Sequence, residues 1–402
     1  MIRFLAPSRL TALLALSLVA GCSSGAVTNA PTDDANADTA TQDTDTNADA
    51  NAETGADATS DTSTSTDATS PDGAEAASSD APPAGDASDA SGASGDVGGD
   101  AKGDAGADAA TDAVVDAGPP LPGVLTTDFQ TWLSAHGYAA DDFARTGTGG
   151  SFGGRAAAGD AVPKIPIVFV HGNSDAAIGR GGQLTGWDAP RRYLLSRGWT
   201  DAALYATTWG PADPTKANDQ THDRAYLTRL RRFISAVQQY TGAAKVVVVT
   251  HSMGTTLARK AIEGGAGTDA TGAYALGAPL TSIVDTFVGI AGANQGLVYC
   301  YSTPDPATCS KVYGFWPGAT ASEGPSTVLS AMNATSHDEA AHVFSYCSKD
   351  DEILGLGGVV WGKSTCSIPG EDAAANGDGL QHVPLKDQSG PTIEKLITTH
   401  AP

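Results

Sequence analysis

Apolar residues along this chain fall into two kinds of pattern. Ile165-Pro166-Ile167-Val168-Phe169-Val170 and Val246-Val247-Val248-Val249 are continuous runs rich in β-branched side chains. Such runs suit strands buried on both faces of a parallel sheet. Weaker versions occur at Ala203 to Ala206, Phe287 to Ala291 and His342 to Tyr346. Between these runs the spacing turns helical. In Asp223 to Tyr240, the residues Leu227, Leu230, Phe233, Ile234 and Val237 share one face, and Gly242 is placed to stop the helix. Ala189 to Arg197 and Thr255 to Ile262 read as helices, as do a leading segment, Val124 to Tyr138, and a closing one, Thr392 to Thr398. The glycine-rich stretch Thr146 to Gly159 reads as a mobile loop. Strands alternating with helices predict an α/β fold, a mostly parallel central sheet with helices on both faces.

From Ser23 to Pro120 neither pattern exists. Between Ser23 and Gly118 there is no Phe, Tyr, Trp, Leu, Ile, Met or Cys. Residues 23–120 also hold 21 of the 46 acidic side chains against one basic residue, Lys102. The formal net charge of -23 therefore belongs mostly to this stretch, which leaves residues 121–402 at about -5. Such a segment buries too little apolar surface to offset the entropy of ordering it, and it is read as a disordered, self-repelling linker. Its root-mean-square span would be on the order of 55 Å, or more if charge repulsion extends it. The irregular aspartate spacing argues against a calcium-binding repeat array. No clustered Lys and Arg exist to neutralise phosphates, so nucleic acid is not an expected partner.

Residues 1–22 read as a targeting segment, with Arg3 and Arg9 ahead of an apolar run, Leu10 to Ala20, too short to span a bilayer stably. The run ends in Leu18-Val19-Ala20-Gly21-Cys22. This resembles the lipobox of bacterial lipoproteins, in which the cysteine becomes an acylated N-terminus. Ser23 resembles the residue that sorts such proteins to the outer membrane of Gram-negative bacteria. The expected organisation is a lipoprotein signal with its lipidation cysteine (1–22), an acidic linker (23–120) and a catalytic domain (121–402), exported and held at the membrane through its lipid.

The chemistry enters where the second strong strand ends, at Val249-Thr250-His251-Ser252-Met253-Gly254, followed directly by a helical pattern. This strand, turn and helix resemble the nucleophile elbow of α/β-hydrolases, G-x-S-x-G. A serine on so sharp a turn has strained backbone angles, and the residues two before and two after it must be small. Gly254 fits, whereas Thr250 departs from the pattern. The first strong strand ends in Val168-Phe169-Val170-His171-Gly172-Asn173. In α/β-hydrolases the loop there supplies one oxyanion donor and the residue after the nucleophile supplies the other. The resemblance therefore implies that the backbone N–H groups of Asn173 and Met253 form the oxyanion hole, with His171 shaping the loop.

In that fold the acid and then the base follow the nucleophile along the chain. His337, His342, His382 and His400 lie beyond Ser252. His382 is the expected base, because it falls in a loop between Gly379 and the last helix. The expected acid is Asp351, just beyond the strand ending Val343-Phe344-Ser345-Tyr346-Cys347, with Asp350 as a competitor and Asp285 as a more distant one. Catalytic groups of open α/β sheets collect at the carboxyl ends of the strands.

From about Pro163 to Ala401 the chain resembles the secreted class 2 lipases and the lipase-like extracellular polyhydroxybutyrate depolymerases. The residues that carry the likeness are Val170-His171-Gly172-Asn173, His251-Ser252-Met253-Gly254, Gly296 to Tyr301 with Cys309 and Phe315, and His382 spaced before Lys386, Gly390, Ile393 and Leu396. The resemblance implies hydrolysis of an apolar ester, a lipid or a polyester, through an acyl-enzyme, with no metal or organic cofactor. Three alternatives stay open: a polyhydroxyalkanoate depolymerase, an inactive surface binding module with the same fold, and transfer of the acyl group to an acceptor other than water. With Cys22 lipidated, four cysteines remain. Two disulfides are expected, Cys300 with Cys309 and Cys347 with Cys366, because each pair closes a short loop. The insertion from Leu297 to Ala319 gathers Tyr299, Tyr301, Tyr313, Phe315 and Trp316, which suit either an apolar acyl wall or ordinary core packing.

Overall fold

Valine-rich runs of this kind need parallel neighbours on both sides, and the computed structural model supplies them. It describes residues 121–402 apart from Pro304 and His337. The expected signal with Cys22, the acidic linker 23–120 and one candidate base, His337, lie outside the described residues. Seven strands form the main sheet: β1 (Ser151–Phe152), β2 (Ile167–Val170), β3 (Leu204–Thr207), β4 (Val246–His251), β5 (Val284–Ile290), β6 (His342–Cys347) and β7 (Ala373–Asn376). They lie side by side in the order β1-β3-β2-β4-β5-β6-β7. β1 runs antiparallel to β3, and all other neighbours are parallel. The two strong runs occupy the centre, and β2 and β4 are buried along their whole length.

The described residues also hold three two-stranded ribbons, five short 3-10 turns and eight α-helices: α1 (Thr127–Ala135), α2 (Asp188–Ser196), α3 (Arg224–Thr241), α4 (Met253–Glu263), α5 (Val298–Ser302), α6 (Thr327–Asn333), α7 (His382–Asp387) and α8 (Gly390–Thr399). Seven of the helices pack in two sets, α1, α3, α4 and α6 in one and α2, α7 and α8 in the other. The result is the α/β-hydrolase arrangement of a mostly parallel sheet with helices on both faces. In α3 the Asp223 side chain accepts from the Ala225 N–H at 2.7 Å and caps the helix, while Gly242, at φ 69°, ends it. Leu227, Leu230, Phe233, Ile234 and Val237 are all buried.

Several elements differ from the sequence reading. α1 is shorter than Val124 to Tyr138, because the Thr126 side chain caps it and Gly137, at φ 82°, lies beyond its end. The Thr146 to Gly159 stretch is not merely a loop: Ser151–Phe152 is the buried edge strand β1. Its glycines serve close packing, since a Cβ on Gly153 would lie 2.5 Å from the Tyr205 ring and one on Gly154 2.1 Å from the Thr126 hydroxyl. β7, Ala-Ala-Ala-Asn, carries no strand propensity and is a strand because it pairs in parallel with β6. His382 is not in a loop but opens α7.

Both disulfides form as expected, Cys300–Cys309 and Cys347–Cys366. The second spans the loop that leaves β6, and the first holds the insertion after β5. Arg259, buried on α4, pairs with Glu339 at 2.7 Å and bonds Asn294 and Asn333 at 2.9 Å each. It thereby fixes α4 against α6 and the chain that follows β5. A buried charge held in this way is tolerated because its donors are satisfied.

Candidate active site

β4 ends at His251, and the chain turns directly into α4 through Ser252. Ser252 has φ 55° and ψ −131°, a conformation rarely open to a residue with a Cβ. The turn leaves no room around it. A Cβ on Gly254 would lie 2.3 Å from the His171 carbonyl oxygen, and one on Gly172 would lie 3.0 Å from both the Ser252 Cβ and the His251 Nδ1. Thr250, the departure from the small-residue pattern, is accommodated inward: its hydroxyl donates to the Val288 carbonyl at 3.0 Å and sits 3.0 Å from the Thr255 hydroxyl. The Ser252 N–H donates to the Ile290 carbonyl at 2.8 Å, locking the turn to the end of β5.

His382 and Asp351 come together from the ends of two further segments. His382 Nδ1 and Asp351 Oδ2 are 2.7 Å apart, and both side chains are almost completely buried. The other Asp351 oxygen accepts from the N–H groups of Ile353 at 3.0 Å and Leu354 at 2.9 Å. With Nδ1–H given to the carboxylate, Nε2 is left with the free lone pair. The His382 ring packs on that of His251, the residue before Ser252, with centroids 4.6 Å apart. Among the described residues the Ser252 hydroxyl, on a half-buried side chain, has no hydrogen-bond partner.

The other candidates lie elsewhere. Asp350 is exposed and accepts from the Gly379 N–H at 2.6 Å. Asp285 faces Lys245 and His400 near the start of β5, at the opposite end of the sheet. His342 and His400 stack on each other there, 3.8 Å between centroids.

Gly172 brings the loop after β2 against Ser252, and Asn173 follows it. The Asn173 side chain donates to the Ala217 carbonyl at 2.9 Å, which holds the loop in place. Met253 is the first residue of α4, where a backbone N–H has no intrahelical acceptor. His171 is fully enclosed: its Nδ1–H donates to the Gly172 carbonyl at 2.7 Å, its Nε2 accepts from the Trp209 N–H at 3.1 Å, and its ring stacks on Trp209.

Two further residues escaped the sequence reading. Glu352 accepts from the His382 N–H at 2.9 Å, and His251 donates through Nε2 to the His382 carbonyl at 3.2 Å. His382 is therefore held by its backbone at both ends as well as by its ring. His251 belongs to the motif quoted above, but no sequence signal marks its contact to His382 or that of Glu352, because both partners are remote along the chain.

Residues 164–393, more than half of the chain, match the model of the family described as Lipase (class 2). This chain belongs to the class 2 lipases. As a class 2 lipase it is a carboxylic ester hydrolase, and its substrates are esters. Membership favours that reading over a polyhydroxyalkanoate depolymerase and over an inactive binding module. Among solved structures, the chain is similar to the Bacillus licheniformis lipase BlEst2 in its mature form, at 15% identity over 62% of this chain and 98% of that one, with a TM-score of 0.40. It is also similar to Aspergillus fumigatus lipase B, at 15% identity over 56% and 49% of the two chains, with a TM-score of 0.38. A truncated carbohydrate esterase from gut microbiota matches at 14% identity over 60% and 87%, with a TM-score of 0.39.

The buried histidines of this lipase give its stability a pH dependence. Burial pushes His171 down to about 3 and His222 down to about 4. Below about pH 6.5 the unfolded chain binds protons at both positions while the folded chain does not, so stability falls as pH drops through that window. Each histidine contributes a slope approaching about 1.4 kcal/mol per pH unit. Urea unfolding measured from pH 7 to pH 4.5 is expected to show this decline, and His222→Asn to remove one histidine's share. An unchanged slope in the variant would mean that the ring is already protonated in the fold.

Proposed function

We propose that Ser252, His382 and Asp351 are a catalytic triad that hydrolyses apolar esters through an acyl-enzyme. The observation that carries this reading is the 2.7 Å contact between His382 Nδ1 and Asp351, packed beside the strained turn at Ser252. Ser252 Oγ attacks the ester carbonyl while His382 Nε2 takes its proton and then passes it to the leaving alcohol. Asp351 holds the ring and stabilises the imidazolium. Water, activated by the same nitrogen, then releases the acyl group. The N–H groups of Asn173 and Met253 receive the developing oxyanion, and each such donor is worth about 10²–10³ in rate.

Support for an apolar substrate comes from an apolar surface on the segments that follow β5 and β6. A cavity of about 250 Å³ is lined by Val298, Tyr301, Pro317, Leu356, Val359 and Trp361, with Val360 at its base. Its walls come from the segments that follow β5, whose last residue Ile290 accepts from the Ser252 N–H, and β6, which ends shortly before Asp351. Leu356 is 75% exposed and Tyr301 51%, and Tyr301 meets Trp361 edge to face. An apolar patch of this kind, left open to water, marks an interaction site. It suits the chain of a lipid-like ester.

The N-terminal part of the proposal rests on sequence: an exported lipoprotein, acylated at Cys22 and tethered by residues 23–120 to the outer membrane or cell surface of a Gram-negative bacterium. More than one acyl chain would give lasting attachment where a single chain gives marginal binding.

Ser252→Ala is expected to abolish turnover of a p-nitrophenyl ester and labelling by a fluorophosphonate, with the fold retained; turnover that survives would remove Ser252 from the mechanism. Asp351→Asn is expected to lower kcat by about 10³–10⁴ and Asp350→Asn by less than about threefold, and the reverse order would exchange their roles. Leu356→Asp is expected to lower the rate on an emulsified long-chain ester by about tenfold while leaving a soluble short-chain ester within about twofold. Equal effects on both would separate the patch from substrate binding. Cys22→Ser, expressed as the full chain in a Gram-negative host, is expected to shift the protein from the membrane fraction to the soluble fraction, and unchanged membrane association would exclude the lipid anchor.

A further inference from the structure

Lys386 stands one helical turn after His382 on α7, and its side chain is fully buried. A buried ammonium is costly unless its donors are satisfied and a counter-charge is near. All three of its hydrogens have acceptors: the Thr185 hydroxyl at 2.6 Å, the Asp387 carboxylate at 2.7 Å and the Gly186 carbonyl. A second carboxylate, Asp175, lies 3.8 Å away. Asp175 is itself buried, and its other oxygen accepts from the Gly186 N–H at 3.1 Å. The indole of Trp187 lies beneath the ammonium, 5.6 Å from ring centroid to nitrogen.

Except for Asp387, which neighbours Lys386 on α7, every one of these partners belongs to residues 175–187. That segment begins two residues after Asn173. One buried side chain thus joins the helix that starts with His382 to the hairpin segment, Asp175 to Trp187, that directly follows the loop carrying Asn173. A hydrophobic side chain in this place would pack the same segments together at less cost in desolvation. What it would not do is set the distance and direction between them through fixed hydrogen bonds.

We propose that Lys386 is a positioning residue, which acts through Asp175, the Thr185 hydroxyl and the Gly186 carbonyl to hold the oxyanion loop in register with the base. This rests on the triad and oxyanion assignment above. It implies that the loss of Lys386 weakens stabilisation of the tetrahedral intermediate more than binding of the ground-state ester, so the effect lies in kcat and not in KM.

The test measures kcat and KM for p-nitrophenyl butyrate on the full chain, with thermal melting of each variant and with wild type and Ser252→Ala as controls. K386M is expected to lower kcat by about tenfold or more with KM within about twofold. D175N, which keeps the size and the hydrogen bond to Gly186, is expected to lower kcat in the same direction. The double variant is expected to be no slower than K386M alone, since both act through one link. A folded K386M with wild-type kcat, a loss confined to KM, or additive losses in the double variant would each overturn the proposal. Should K386M fail to fold, D175N decides: an unchanged kcat overturns the proposal and a reduced kcat with unchanged KM supports it. A wild type without turnover would remove the hydrolase mechanism and this proposal with it, whereas turnover undiminished in both variants removes this proposal alone.

Discussion

The turn at Ser252 is the constraint around which the rest of the site is arranged. Its backbone angles, φ 55° and ψ −131°, cost of order 1–3 kcal/mol for a residue with a side chain. Such strain persists only where the surroundings over-determine it. Here β4 is paired on both sides, α4 is buried from Met253 to Ile262, and the Ser252 N–H is fastened to Ile290. Gly172 and Gly254 are the local consequence, because the His171 carbonyl and the serine Cβ leave no space for larger side chains at those positions. The strain also lifts the serine off the strand, so that its hydroxyl stays clear of other partners.

A side chain on so short a helix as α7 would be poorly oriented by the helix alone. Its six residues gain little from helix formation itself, and position must come from tertiary contacts. Three converge on His382: Asp351 on the ring, Glu352 on the backbone N–H and His251 on the carbonyl. Two of these partners are adjacent in the chain, and the third adjoins Ser252. The same few residues therefore fix the imidazole relative both to its carboxylate and to the serine turn. Lys386 extends this arrangement toward the oxyanion loop.

The loop after β6 unites chemistry and surface. It begins with the buried carboxylate of Asp351 and runs through exposed Ile353, Leu356, Val359 and Trp361 before returning at Cys366, which is joined to Cys347. The indole N–H of Trp361 reaches the carbonyls of Pro317 and Gly318 at 3.1 Å, binding this loop to the insertion after β5. Apolar side chains are thus held out toward water on a covalently closed loop. Closure removes conformations from the unfolded loop and lowers the cost of keeping it ordered.

The sequence by itself determined the α/β class, the central strands, helices α3 and α4, the disulfide pairs and the types of residue that form the site. These features are local or nearly so: β-branched runs, a 3.6-residue period, short cysteine spacings, and a serine between a strand and a helix. Sequence favoured Asp351 over Asp350, but only tertiary structure shows their different surroundings, one buried against the His382 imidazole and the other exposed beside Gly379. Tertiary structure alone decided that a run of alanines is strand β7, that the glycines after Thr146 serve packing, and that Glu352, His251 and Lys386 share in the site. In each case the partner is remote in sequence, tens to about two hundred residues away, and a side chain's role there is set by what the fold places against it.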